Sequence, residues 1–128
     1  MSELKFFKCM TCGNVVWKVV DGGGELVCCA EPMVELVPGT SDGVAEKHVP
    51  HLTVEGDRLA VNVGELDHPM APEHFICFVL LDCGGEKAEV KFLEPGDAPR
   101  AVFRKPPAPA TVYEYCNLHG LWKAEFAS

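Results

Sequence analysis

Apolar and polar residues along this chain alternate or cluster in short runs, and no window repeats at the spacing of a helix face. Between residues 87 and 93, Ala88, Val90 and Phe92 share one parity, while Lys87, Glu89 and Lys91 share the other. That pattern predicts a strand with a wet face. Residues 75–82 form an apolar run of strand length that ends near Gly84-Gly85. Residues 52–55 and 58–63 flank Gly56-Asp57, a good two-residue hairpin turn. Pro95-Gly96-Asp97 closes the alternating segment, and residues 101–104, 111–115 and 121–126 complete a set of seven strands. Seven short strands in roughly 90 residues predict an immunoglobulin-like β-sandwich. Lys105-Pro106-Pro107-Ala108-Pro109 reads as a stiff loop, and there is no internal repeat.

A turn-rich break, Val37-Pro38-Gly39-Thr40-Ser41-Asp42-Gly43, precedes this region. It divides the chain into a cysteine-rich head, residues 1–37, and the sandwich, residues 38–128. A head of that size cannot bury a sufficient core without a staple. The 48% hydrophobic and 23% charged fractions fit a soluble globular protein. No apolar stretch is long enough to span a bilayer. The N-terminal stretch, Met1-Ser2-Glu3-Leu4-Lys5-Phe6-Phe7-Lys8, lacks the apolar core of a secretory signal, so the expected compartment is the cytoplasm. A net charge of −8 argues against a nucleic-acid partner. It also means that an anionic substrate needs a local positive patch.

The chain has seven cysteines, an odd and high number for its length. In a reducing cytosol, metal ligation explains them better than disulfides do. Cys9-Met10-Thr11-Cys12-Gly13 is a knuckle whose two thiolates can reach one ion, with Gly13 permitting the turn that aims backbone N–H groups at sulfur. Cys28 and Cys29 supply the other pair. Adjacent side chains of an extended segment diverge, so this pair is expected to distort the tetrahedron. Spacing leaves zinc and iron both open. Cys-x-x-Cys followed by Cys-Cys resembles the small iron–sulfur module desulforedoxin, which implies a single one-electron iron in the head.

Five histidines, His48, His51, His68, His74 and His119, all lie in the sandwich region. Cys116-Asn117-Leu118-His119-Gly120 sets a thiolate and an imidazole three positions apart. Glu46-Lys47-His48 and His68-Pro69-Met70-Ala71-Pro72-Glu73-His74 fall between predicted strands, where functional residues gather. Taken singly, each histidine is more often a surface or satisfied core residue than a ligand. Several imidazoles and one thiolate in the loops of one small sandwich suit iron, copper or zinc.

These motifs together resemble the superoxide reductases, and with the head attached they resemble the two-iron desulfoferrodoxin form, over essentially the whole chain. The resemblance implies an all-β chain with two iron ions. One is held by Cys9, Cys12, Cys28 and Cys29; the catalytic one has His48, His68, His74 and His119 as equatorial ligands and Cys116 as the axial ligand. It further implies one-electron reduction of superoxide to hydrogen peroxide at an open sixth position, with Lys47 attracting the anion and Glu46 occupying that position in the resting ferric state. Re-reduction by a rubredoxin-like donor and a homodimeric assembly are implied as well. An acidic surface of this kind also leaves room for a calcium ion. His51 is expected to be a bystander, Cys77 a buried core thiol and Cys83 a more exposed one, with Trp122 packing near the site. Two rival readings are an iron electron-transfer protein with a closed second site and a zinc-stapled interaction module.

Overall fold

The computed structural model describes residues 3–41, 43–84 and 87–127. Met1, Ser2, Asp42 of the turn-rich break and Gly85 of the Gly84-Gly85 turn lie outside them. The chain forms two compact units, Met1–Val37 and Pro38–Ser128.

In the first unit, strands β1 (Phe6–Lys8), β2 (Val15–Trp17) and β5 (Val34–Leu36) form an antiparallel sheet with β1 in the middle. Strands β3 (Val27–Cys28) and β4 (Glu31–Pro32) form a separate hairpin. Strands of two or three residues are too short for alternation to reveal, which is why the sequence pattern predicts none here. Among the described residues of this unit only Phe6 and Cys9 are fully buried. So small a core agrees with the need for a staple.

The second unit is a sandwich of two antiparallel sheets. One has the order β10 (Arg100–Arg104), β7 (Arg58–Val63), β6 (Pro50–Glu55). The other has the order β12 (Gly120–Phe126), β11 (Ala110–Cys116), β8 (Ile76–Asp82), β9 (Ala88–Phe92). The chain switches sheets between β7 and β8, between β9 and β10, and between β10 and β11, the Greek-key connectivity of immunoglobulin-like folds. Leu59, Val61, Val63 and Phe103 from one sheet meet Ile76, Val79, Leu81, Val112 and Phe126 from the other in a single core.

Three features depart from the pattern-based expectations. One helical turn, α1 (Ala45–His48), precedes β6 and is too short to show any periodicity. Phe92 is 79% exposed, because it pairs with Phe78 on the face opposite the one from which Val79 and Leu81 enter the core, so Lys91 and Glu89, not Phe92, share the core-facing parity of β9. Cys77 is half-buried and not a core thiol. Tyr115 pairs with Phe78 but Cys116 pairs with Ile76, so Cys77 is the extra residue of a β-bulge, and Ile76 takes the inward place.

Candidate metal centres

In the first unit the Cys9-x-x-Cys12 knuckle is closed by Gly13, whose N–H donates to Cys9 O at 2.9 Å and whose φ of +83° suits glycine. The Cys12 backbone N–H points at Cys9 Sγ, 3.4 Å away. Cys28 ends β3 and Cys29 opens the hairpin turn, where Cys29 and Ala30 have φ of 53° and 63°. This left-handed pair corrects the expectation of divergent neighbours. The segment is not extended at Cys29, and the two sulfurs lie 3.9 Å apart. Cys12 Sγ and Cys28 Sγ are 3.6 Å apart, and all four cysteines are free thiols. Sulfurs about 2.3 Å from a shared tetrahedral ion stand about 3.8 Å from one another, so the quartet has the dimensions of a tetrathiolate site.

The charges lead to the same conclusion. The Cys12 N–H holds Cys9 down to about 6, while hydrogen bonds to Cys12 and Cys9 push Cys29 up to about 12. Four sulfurs this close ionise together only around a cation.

In the sandwich unit, His48, His68, His74, His119 and Cys116 converge at one end, with one ligand atom from each within 4.8 Å of all the others. His48 ends α1, His68 follows β7, His74 sits in a bridge with Ala71, Cys116 ends β11, and His119 lies in the β11–β12 hairpin. The rings follow one another in a closed circuit with centroid spacings of 4.6, 4.6, 5.0 and 4.8 Å. Each is steeply inclined to the next, by 76° to 88°.

The hydrogen bonds of these rings fix which nitrogens carry lone pairs. His48 Nδ1–H donates to Val44 O at 2.8 Å, and His68 Nδ1–H donates to Pro69 O at 2.6 Å. Their Nε2 lone pairs therefore face each other across only 3.1 Å, and His48 Nε2 is equally close to His119 Nδ1. His74 Nε2 is buried and has no partner among the described residues. Facing lone pairs repel unless a cation lies between them. Nitrogens about 2.1 Å from one ion and at right angles are about 3.0 Å apart, against about 3.4 Å around a tetrahedral ion. The observed spacing fits imidazoles sharing a plane. Burial pushes His68 down to about 4 and also lowers His48 and His74, which keeps them in the neutral, ligating form.

Neighbouring residues hold this geometry. Trp122 stacks on His48 at 5.0 Å and donates from Nε1–H to His119 O at 2.9 Å. Asn117 accepts from Phe75 N–H at 2.9 Å and donates to Glu73 O at 3.1 Å, tying the hairpin to the segment that carries His74. Lys47 and Glu46 lie in α1, and the positive charge of Lys47 is felt at both His48 and His74. His51 is exposed on β6 and outside the cluster. It shares with Glu46 and Glu65 a surface hollow of about 320 Å³. Cys83 is half-buried, with burial raising its pKa, and belongs to neither cluster. Among the described residues no further group of metal-ligating side chains converges, so calcium has no such carboxylate cluster here.

One buried group was not singled out by its sequence. Glu114 is fully buried on the inward face of β11, between Val112 and Cys116, and neither carboxyl oxygen has a partner among the described residues. A carboxylate on the core-facing parity of an apolar strand was the available signal. Burial raises its pKa well above the ordinary value, so the folded chain holds a proton that the unfolded chain releases. Stability should therefore fall as pH rises past the usual carboxylate range toward the raised value. Glu114→Leu is expected to remove that dependence and to add about 1–3 kcal/mol at neutral pH. Urea denaturation of both proteins at pH 5 and pH 8 checks this.

Comparisons with known proteins agree with the two centres. Residues 40–125 match the family described as desulfoferrodoxin, and residues 2–36 match the desulfoferrodoxin N-terminal domain. The desulfoferrodoxin of Nitratidesulfovibrio vulgaris is 46% identical over 97% of this chain and 98% of its own. The superoxide reductase of Pyrococcus abyssi is 36% identical over 67% of this chain and 90% of its own. The crystal structure of the superoxide reductase from Treponema pallidum superposes with a TM-score of 0.74 at 33% identity, covering 96% of this chain and 99% of that one. With both of its domains matched and near-full-length identity to its relatives, the chain belongs to the desulfoferrodoxin family.

Proposed function

We propose that this chain is a superoxide reductase whose residues 38–128 reduce superoxide and whose residues 1–37 hold a second, one-electron iron. The observation that carries the reading is the circuit of four imidazoles with facing lone pairs and a buried thiol beside it. Five protein donors are one short of a six-donor set, so a metal held there would keep a position for substrate, as a catalytic metal requires and a closed electron-transfer site does not. An iron held by these residues would supply one-electron redox chemistry, with the electron replaced by an outside donor. Superoxide takes up that electron and two protons and leaves as hydrogen peroxide.

The chain's own residues have distinct tasks in this reading. His48, His68, His74 and His119 hold the metal through neutral nitrogens, and the Nδ1–H bonds of His48 and His68 fix their rings. Cys116 would supply a thiolate ligand that raises electron density at the metal. Cys9, Cys12, Cys28 and Cys29 bind the other iron. Lys47 provides a local attractive field for an anion on a protein of charge −8, and Glu46 is the carboxylate for the open position in the resting state. The external donor is a rubredoxin-like protein, as the family resemblance implies, and the compartment is the cytoplasm, whose reducing character suits cysteines used as metal ligands. A homodimer belongs to the same reading and rests on family resemblance alone.

The decisive test reduces the iron-loaded protein without oxygen and adds a pulse of superoxide. The expected result is re-oxidation of the histidine–cysteine iron with hydrogen peroxide and no dioxygen as product. A protein that contains only zinc when isolated from its source, or that stays reduced after the pulse, defeats the reading. Lys47→Ala is expected to slow the second-order reaction about tenfold or more and to flatten its dependence on ionic strength. Pulse radiolysis across a salt series measures both.

A further inference from the structure

α1 is one helical turn with no side-chain hydrogen bond at its N-cap. A single turn cannot hold itself in water, yet it carries Glu46, Lys47 and His48. Its support is the turn after β7. Leu66 N–H donates to Glu46 O at 2.8 Å. The same turn is braced within itself: Gly64 N–H donates to Leu66 O at 3.1 Å, and Asn62 Nδ2 donates to Gly64 O at 2.6 Å and to Asp67 Oδ1 at 2.9 Å. His68 N–H donates to Val63 O at 2.8 Å, so the turn that supports α1 also delivers a second imidazole.

The closest approach is at Gly64. A Cβ there would lie 2.8 Å from Glu46 O, 2.9 Å from Lys47 C and 2.9 Å from Val49 O. All three are backbone atoms, so no side chain can swing aside to make room. Any other residue at position 64 has to push α1 away from the turn. We propose that Gly64 is a positioning residue: its missing side chain lets the turn after β7 seat against the backbone of Glu46, Lys47 and Val49, and so fixes where Lys47 and Glu46 stand relative to the four imidazoles. The proposal rests on the superoxide reductase reading for what Lys47 does, though not for where it is held. An ångström of displacement matters for a charge that guides a small anion and for a carboxylate that must reach one coordination position.

The test compares Gly64→Ala, Asn62→Ala and Lys47→Ala with the unaltered protein, all full-length and iron-loaded. Hydrogen exchange followed by mass spectrometry reads the peptides over residues 44–50 and 64–68 against those over residues 110–126. Pulse radiolysis reads the rate with superoxide and its salt dependence. Gly64→Ala is expected to speed exchange in both short peptides about tenfold while the strand peptides stay protected and the iron content is kept. It should also lower the superoxide rate and flatten its salt dependence toward those of Lys47→Ala, with Asn62→Ala between. Unchanged exchange in the two peptides overturns the proposal. So does an unchanged salt dependence in a variant set where Lys47→Ala does flatten it. If Lys47→Ala leaves the salt dependence intact, the assigned role of Lys47 fails and exchange alone decides the positioning. Should Gly64→Ala not fold, Asn62→Ala, which adds no atoms, decides by the same two readouts.

Discussion

Cys116→Ser is expected to abolish the thiolate-to-iron absorption band of the sandwich centre and to lower the rate with superoxide more than about 100-fold. Loss of an outer-shell partner already costs 10–100-fold at metal sites, and Cys116 is a ligand in this reading. Its side chain is fully buried at the end of β11, with Sγ 3.9 Å from His119 Nδ1. Serine fits the same volume, so the sandwich should fold and the four imidazoles should still collect a metal. The difference is electronic. A serine hydroxyl stays protonated where a thiol beside a cation ionises, and the electron density supplied by the thiolate goes with it. Anaerobic absorption spectra and pulse radiolysis on the same sample check both parts. Retention of the band and of the rate would show that Cys116 is merely a buried thiol.

The second large effect concerns the first unit. Removing its metal, or making Cys12→Ala with Cys28→Ala, is expected to unfold it while the sandwich keeps its own cooperative transition. Phe6 and Cys9 are its only fully buried residues among those described, so apolar burial alone does little to hold this unit. A metal held by four thiolates contributes folding free energy to a small domain outright, because no preformed site exists in the unfolded chain. Hydrogen exchange at Phe6–Lys8 and Val34–Leu36 reads the outcome. Protection that survives metal loss would mean that the chain itself, and not the ion, holds these strands.

The sandwich is legible in the sequence because its strands are five to seven residues long and each is punctuated by turn residues. The thiolate quartet was visible as cysteine spacings, whereas the histidine–cysteine set, with His48 chosen over His51, came from the family resemblance; the structure brings the nine side chains together in two groups. What was illegible depends on tertiary context. The left-handed backbone at Cys29 and Ala30 is unusual for residues with a Cβ and has no local signature. The half-burial of Cys77 follows from a bulge, which periodicity cannot show because it is a break in pairing. α1 is held by the turn after β7 and by the His48 ring bonded back to Val44, neither of which its apolar pattern announces. Glu114 was written in the alternation of its strand, but its significance needs the knowledge that no donor faces it.

The two clusters differ in how far apart along the chain their members lie. Cys9 and Cys28 are 19 positions apart, whereas His48 and His119 are separated by 71. Contacts between near neighbours form early, and those between distant segments wait for most of the chain to be ordered. During synthesis the thiolate quartet is therefore complete while much of the sandwich is still unmade, and the imidazole circuit closes only when the last hairpin docks. The two sites are thus completed at different stages of synthesis, the first within a short local loop and the second only with the last hairpin. Retention of the second ion is therefore tied to the finished sandwich, while that of the first depends on the local unit alone.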